Sequence, residues 1–139
     1  MAKRIWSEDG SMIVLDTAWR STKDIIIIDS NTGNVHRVTS GNGCWTLLDV
    51  HKDCVLASHA SPACPPKLML AKLSSKVSGE LNWLTVAESG ISLEREIDWS
   101  VVVFTPENAE KGTWQDYEGI LMKPKIDSGH KCPLIVFPH

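Results

Sequence analysis

The chain has 139 residues, of which 42% are hydrophobic and 22% charged, which is typical of a soluble globular domain or a part of a larger one. The chain has fourteen Lys and Arg residues and seventeen Asp and Glu residues. The resulting net charge of −3 argues against a polybasic surface that would bind nucleic acid or an anionic membrane. No purely apolar run exceeds four residues, whereas a membrane-spanning helix needs roughly 20. Neither nucleic acid nor a membrane is therefore expected as a partner. The opening residues contain no apolar signal segment, so we expect a cytoplasmic protein.

The four cysteines, at positions 44, 54, 64 and 132, form no Cys-x-x-Cys pair. In a cytoplasmic chain they are expected to stay reduced, as buried or half-buried thiols. Cys44, His51, Cys54, His59 and Cys64 form an alternative zinc set on paper, but their spacing lacks the close ligand pairs of structural zinc sites. No metal and no cofactor is predicted.

Short β-branched or Leu-rich runs alternate with turn clusters every eight to twelve residues, a pattern that predicts an all-β fold to about residue 85. Apolar residues at helical spacing do not extend over three turns in any window. In the first forty residues we predict a turn at Asp9-Gly10, a strand at 12–15, a polar loop at 16–23, a strand at 24–29 and a returning strand at 35–39. With an opening strand at 4–6, this makes one four-stranded antiparallel blade of a β-propeller.

Seven positions in register resemble the repeat of β-propellers of the dipeptidyl-peptidase and TolB type. They are Trp6, Ser7, Asp9, Gly10, Asp29, Thr32 and Gly33. A second, degenerate blade is predicted at 44–73, with residues 61–66 as a loop because three prolines cannot donate to a strand ladder.

The character of the sequence changes after residue 85. Residues 86–96 are polar and are interpreted as a connection between domains. Strands are predicted at 97–104 and 117–124. A third, at 134–137, has no polar alternation, as expected for a strand covered on both faces within an α/β sheet.

Two segments of this second half resemble the entry to the hydrolase domain of the prolyl-oligopeptidase family, and the whole chain is similar to its acylaminoacyl-peptidase branch. The segments are Tyr117-Glu118-Gly119-Ile120-Leu121-x-x-Pro124 and Pro133-Leu134-Ile135-Val136-x-Pro138-His139. The resemblance implies the C-terminal blades of a propeller at 1–85, an interdomain connection at 86–96, and the first strands of a truncated α/β-hydrolase domain at 97–139.

The resemblance also implies the activity of the complete enzyme, a serine peptidase that removes an N-acylated amino acid from short peptides. A serine would attack the peptide, with a histidine as base and an aspartate orienting it. N-acylated short peptides and the remainder of the hydrolase domain are the partners so implied, and homo-oligomer formation is left open.

The catalytic residues themselves are expected to be absent from this chain. No serine stands in a Gly-x-Ser-x-Gly elbow, the turn that exposes a nucleophilic Oγ. The chain stops at His139, which is expected to be the first residue of the family's His-Gly-Gly-Pro oxyanion loop. We therefore expect an inactive piece of the enzyme. The alternative is a non-catalytic, propeller-like binding or regulatory module.

The remaining chemistry-bearing residues are predicted to be structural. Five aspartates are expected mostly to cap turns, and three histidines to lie at the surface or to be satisfied locally. In an isolated piece, we expect the apolar faces at 25–28, 101–103 and 134–136 to be exposed. The five aspartates are Asp16, Asp24, Asp29, Asp98 and Asp116, and the three histidines are His36, His51 and His59.

Overall fold

The computed structural model describes residues 2–74, 79–107, 116–126 and 131–138, and within these ranges every regular element is a β-strand. No described segment forms a helix of a length and apolarity that would cross a membrane. The strands are β1 (Met12–Trp19), β2 (Thr22–Asp29), β3 (Val35–Arg37), β4 (Cys44–His51), β5 (Cys54–Ser61), β6 (Cys64–Lys72), β7 (Leu84–Ala87), β8 (Ile97–Phe104) and β9 (Tyr117–Pro124). The all-β prediction is confirmed.

Two antiparallel meanders make up the larger sheet. The first is β1-β2-β3 and the second is β4-β5-β6-β7. One parallel bridge, Lys23 to Cys44, joins them into a seven-stranded sheet. Strands β8 and β9 form a separate two-stranded sheet.

A single apolar core draws side chains from both meanders. Val14, Ile25 and Ile27 from the first meander are fully buried, and Val55 and Ala57 from the second are equally inaccessible. Their alternation along each strand places them on one face. The expected exposure of residues 25–28 is therefore wrong for Ile25 and Ile27, because the second meander covers that face.

The first hairpin is longer than its polar sequence indicates. The sequence predicts a loop at 16–23, yet β1 continues to Trp19 and β2 starts at Thr22. Asp16 is accommodated in the strand because its carboxylate lies 3.0 Å from Lys23 Nζ and accepts a hydrogen bond from the Leu47 amide at 2.9 Å. The predicted opening strand at 4–6 reduces to a single bridge between Trp6 and Ile13.

The proline-rich stretch at 61–66 is mostly strand, contrary to the predicted loop. His59 pairs with Lys67 but Ser61 pairs with Cys64, so β6 carries one extra residue in this interval. Such a bulge takes residues out of the regular ladder, which lets Pro65 and Pro66 stand in a strand without a missing donor.

Strands β8 and β9 have the predicted bounds and pair along their whole length, from Ile97 opposite Pro124 to Phe104 opposite Tyr117. The predicted strand at 134–137 is absent, and its side chains are 74–86% exposed. The physical reason is that, among the described residues, no strand pairs with this segment and no second layer covers it.

Candidate functional site

A cleft of about 210 Å³ lies between the β8–β9 hairpin and one end of the larger sheet. That end carries the β1–β2 turn, the start of β4 and the β5–β6 turn, and the parallel bridge holds the first two together through a 3.1 Å hydrogen bond from the Lys23 amide to the Gly43 carbonyl. The lining residues are Ser21, Thr22, Gly43, Cys44, Ala60, Ser61, Pro62, Trp99 and Ile120. The cleft is mainly apolar, with a thiol and hydroxyl groups at its wall.

Glu118 supplies the strongest electrostatic feature beside this cleft. Its carboxylate accepts hydrogen bonds from the Ser21 hydroxyl at 2.5 Å and the Ser21 amide at 3.0 Å, and Arg20 Nη1 lies 3.4 Å away. The Ser21 hydroxyl, then the Ser21 amide, hold the pKa of Glu118 below its ordinary value, with Arg20 adding to the effect. Glu118 is therefore an ionised acceptor at neutral pH.

Gly43 is required where it lines the cleft. A Cβ at this position would lie 2.5 Å from His59 Nε2 and 2.9 Å from the Ala60 carbonyl oxygen, and the backbone has φ of 153°. The close approach of β4 to β5 at this point therefore depends on a residue with no side chain.

Behind Gly43 lies a cluster of three rings. The Trp45 ring centroid is 4.4 Å from that of His59 and 4.8 Å from that of Trp83. Burial lowers the pKa of His59, and the nearby Lys67 lowers it further. His59 is thus a neutral ring packed on an indole, which suits a structural role rather than proton transfer at neutral pH.

A second cleft of about 550 Å³ lies at a different part of the surface, lined by Lys3, Arg4, Ile5, Trp6, Glu8, Val50, His51 and Lys52. Arg4 Nε donates to Asp49 Oδ1 at 3.1 Å, and Arg4 Nη1 lies 2.9 Å from His51 Nδ1. The hydrogen bond from Arg4 is the main reason that the pKa of Asp49 falls to about 2. The positive charge of Arg4 is therefore largely matched by Asp49.

Within the described ranges, the cysteines join neither a metal-binding cluster nor a disulfide. All four are free thiols, and the described residues contain no group of three or more His, Cys, Asp or Glu that could hold a metal ion. The expectation of buried or half-buried thiols holds for Cys64 and is wrong for Cys44, Cys54 and Cys132, which are exposed. Cys44 and Cys54 each open a strand on its outward-facing side.

The predicted structural roles of the histidines and aspartates are partly confirmed. Asp29 caps a turn by accepting from the Asn31 and Thr32 amides, whereas Asp16 and Asp24 lie within strands. Asp24 is fully buried; it accepts from the Thr39 hydroxyl at 2.8 Å, and its other oxygen lies 2.9 Å from Arg37 Nη2, off the line of a hydrogen bond.

Of the other two predicted histidines, His36 is half-buried and His51 is exposed beside Arg4. Of the other two aspartates, Asp98 lies 3.2 Å from Lys125 Nζ and Asp116 is exposed just before β9. His139, the one site residue that the sequence indicated, lies outside the described residues. Sequence reasoning missed the contact between Glu118 and Ser21 because 97 residues separate them, and the family-like segment that contains Glu118 assigned this residue no role.

Comparison with known proteins gives one consistent family. The profile of the family described as "Acylamino-acid-releasing enzyme, N-terminal domain" matches residues 1–98. The acylamino-acid-releasing enzyme of Homo sapiens is 29% identical over 141 residues, and that of Mus musculus is 30% identical over 142; each alignment covers 96% of this chain and 19% of the relative. That of Arabidopsis thaliana is 28% identical over 81 residues, covering 57% of this chain and 11% of the relative.

The chain thus spans about a fifth of the length of the mammalian relatives that it matches. The matched profile covers well over half of the chain, and the mammalian alignments extend beyond it to nearly the whole sequence. The chain therefore belongs to the acylamino-acid-releasing enzyme family.

Proposed function

We propose that this chain is a non-catalytic part of a serine peptidase that releases an N-acylated amino acid, such as an N-acetylated one, from short peptides. The observation that carries the proposal is the family match over residues 1–98, together with relatives five times longer that are aligned to 96% of the chain. In this proposal the catalytic residues lie in the rest of the complete protein, and this chain forms part of its structural framework.

In this proposal residues 1–85 form the last blades of a β-propeller, residues 86–96 connect the domains, and residues 97–139 begin an α/β-hydrolase domain. Two antiparallel meanders that share one core are the arrangement expected of neighbouring blades. The separate β8–β9 sheet starts at Ile97, close to the end of the matched profile at residue 98, which supports a domain change there.

The catalytic machinery is assigned to the rest of the complete protein. An acyl transfer of this kind needs a serine nucleophile with a base and oxyanion-stabilising donors. The 139 residues contain no Gly-x-Ser-x-Gly elbow, and His139 would stand at the start of the oxyanion loop. The same proposal places the peptidase in the cytoplasm, which the four free thiols support.

The partners of the complete protein follow from the same proposal. N-acylated short peptides are the substrates, and the remainder of the hydrolase domain is the structural partner of residues 97–139. The half-exposed apolar side chains of β8 and β9 support such a covering layer, since Val103 is 52% exposed and Met122 is 53% exposed.

A chimera tests this function. The segment of the human relative that aligns with this chain would be replaced by the 139-residue chain, and release of N-acetylalanine from a chromogenic acetylalanyl anilide would be measured. We expect the folded chimera to retain hydrolysis that a serine-directed fluorophosphonate abolishes. The matched control is the human enzyme with the segment deleted, which should be inactive.

The isolated chain, assayed in parallel, should neither turn over the anilide nor react with the fluorophosphonate. A chimera that folds and binds the fluorophosphonate but cannot release N-acetylalanine would overturn the proposed role in this peptidase. Hydrolysis by the isolated chain would overturn the assignment of catalysis to the remainder of the protein.

A further inference from the structure

Glu118 makes the polar contact that joins the β8–β9 hairpin to the larger sheet. Glu118 is half-buried, with a side chain that is 15% exposed, whereas Val103, opposite it, and Ile120, two residues along the strand, are exposed residues. Side chains two residues apart share a face of a strand, so Glu118 and Ile120 face the sheet together. On the face of the hairpin that is turned towards the larger sheet, the Glu118 carboxylate is therefore held by hydrogen bonds, while Val103 and Ile120 stay exposed.

Both hydrogen bonds and the ion pair that Glu118 receives come from one two-residue turn. Arg20 and Ser21 join β1 to β2, and Arg20 has φ of 58°, a left-handed conformation that a residue with a side chain rarely adopts. The turn thus presents the Ser21 amide, the Ser21 hydroxyl and the Arg20 guanidinium to the same carboxylate. Such convergence of donors on an ionised acceptor makes strong hydrogen bonds.

The hairpin has a second attachment at its other side. The segment that leads into β8 is held where the Leu93 amide donates to the Ala63 carbonyl at 2.8 Å and the Cys64 thiol donates to Glu94 at 3.3 Å. This attachment lies within four residues of Ile97, where β8 begins. Among the described residues, the hairpin is thus attached near its base by the Leu93 segment and along β9 by the Glu118 carboxylate, which is the arrangement of a hinged flap.

The 210 Å³ cleft lies between the two sides that Glu118 joins. Cys44 belongs to the sheet side of the cleft and Ile120 to the hairpin side. We propose that Glu118 is a clasp that holds the β8–β9 hairpin closed over this cleft, and that the hairpin swings about the Ala63–Leu93 attachment when the clasp is released. The proposal concerns this chain alone and stands whether or not the complete protein is a peptidase.

The test measures whether Cys44 and position 120 stay close. The chain would carry Cys54→Ser, Cys64→Ser and Cys132→Ser, with Ile120→Cys added, so that the thiols at 44 and 120 are the pair available to a short bismaleimide. The readout is the ratio of cross-linked chain to chain modified twice without cross-linking. Glu118→Ala and Glu118→Gln should each lower that ratio, by about tenfold for the alanine, because hydrogen bonds to a charged acceptor are lost.

A matched control is Glu107→Gln, which removes an exposed carboxylate three residues beyond β8. We expect it to leave the cross-linking ratio unchanged. Ser21→Ala removes the hydroxyl donor without altering the hairpin and should lower the ratio by less than Glu118→Ala. The Ser21→Ala/Glu118→Gln double variant should lower the ratio by less than the product of the two single fold-changes, because the residues form one contact.

Circular dichroism spectra that match the parent would establish that each variant is folded. If the Glu118 variants do not fold, Ser21→Ala decides the question by itself. An unchanged cross-linking ratio in folded Glu118→Ala, or in Ser21→Ala when the former does not fold, would overturn the clasp.

Discussion

The described residues up to 74, called the first half, and those from 79 onward, called the second half, contain similar strands but differ in what covers them. Among the described residues, every buried apolar side chain lies between Met12 and Leu73. Beyond Leu73 no described apolar side chain is fully buried: some, such as Trp83 and Trp99, are half-buried, and the exposed ones range from 44% at Phe104 to 86% at Ile135. Apolar content alone therefore does not make a core.

The difference lies in the number of layers. In the first half two meanders contribute to one core, so each apolar face meets another. In the second half, the described residues of β8 and β9 form a two-stranded hairpin that faces one end of the larger sheet across the cleft and adds no side chain to the buried core. A two-stranded hairpin by itself is at best marginally stable in water. The first half is expected to determine the stability of the chain, and the second half to depend on additional protein.

The largest expected effect is the loss of a core side chain from the first half. Ile27→Ala should lower the free energy of unfolding by about 3 kcal/mol, because Ile27 is fully buried and its removal leaves a cavity. Val103→Ala, at a 52% exposed position of β8, is the matched change in the second half and should cost less than about 0.5 kcal/mol. Urea denaturation followed by circular dichroism measures both, and equal losses would contradict the comparison.

A smaller effect is expected at the end of the sheet beside the cleft. Gly43→Ala should destabilise the chain by about 1–3 kcal/mol, because the new Cβ would meet His59 Nε2 at 2.5 Å and the Ala60 carbonyl at 2.9 Å. Gly41→Ala is the control, since that glycine has a positive φ of 78° but nothing within 4 Å of a Cβ. Thermal melts that rank Gly41→Ala as the more harmful change would argue against the tight contact of β4 with β5.

The buried polar network in the first half should contribute a comparable or slightly smaller amount. The Thr39 hydroxyl donates to Asp24 and accepts from the Ile25 amide at 3.1 Å, so Thr39→Val leaves both groups buried without that partner. We expect a loss of about 2 kcal/mol in the free energy of unfolding. Thr39→Ser keeps the hydroxyl and should recover most of it; a serine variant as unstable as the valine one would show that packing, rather than the hydrogen bonds, sets the cost.

The smallest effect is a pH dependence that arises in the turn before β1. Hydrogen bonds from the Ser11 amide, the Ser7 hydroxyl and the Ser11 hydroxyl lower the pKa of Asp9 from 3.8 to about 2. Because the folded pKa is lowered, the stabilisation is complete above the unfolded value and is lost as the pH falls from about 4 towards 2.

Asp9→Asn should therefore flatten the acid-induced loss of stability in that range. Denaturation midpoints measured from pH 5 to pH 2 test this, with Asp116→Asn, at an exposed position before β9, as the control. An Asp9→Asn variant with the same acid dependence as the parent would show that this carboxylate does not contribute to it.

The sequence was most informative where a residue pattern acts locally. The bounds of β8 and β9 follow from two apolar runs, and the turn at Asp9-Gly10 follows from residues that tolerate a positive φ, as Gly10 does with φ of 71°. Asp29 likewise caps its turn as its sequence context indicates.

The sequence failed where tertiary contacts override local preference. Asp16 remains in β1 because the Leu47 amide and the Lys23 ammonium group pair with its carboxylate. The prolines of β6 remain in a strand because they lie in a bulge, where no backbone donor is required of them. The Glu118–Ser21 contact could not be anticipated, since 97 residues separate its members. The segment at 134–137 has the composition of a covered strand but lacks a partner among the described residues.

Native-state amide hydrogen exchange of the whole chain tests the central claim most directly. The account predicts that amides of β1, β2, β4 and β5 exchange through global unfolding, and that those of β8 and β9 exchange at least about 100-fold faster through local opening. Equal protection in the two halves would contradict the claim that residues 2–74 have their own core and that the β8–β9 hairpin depends on further protein.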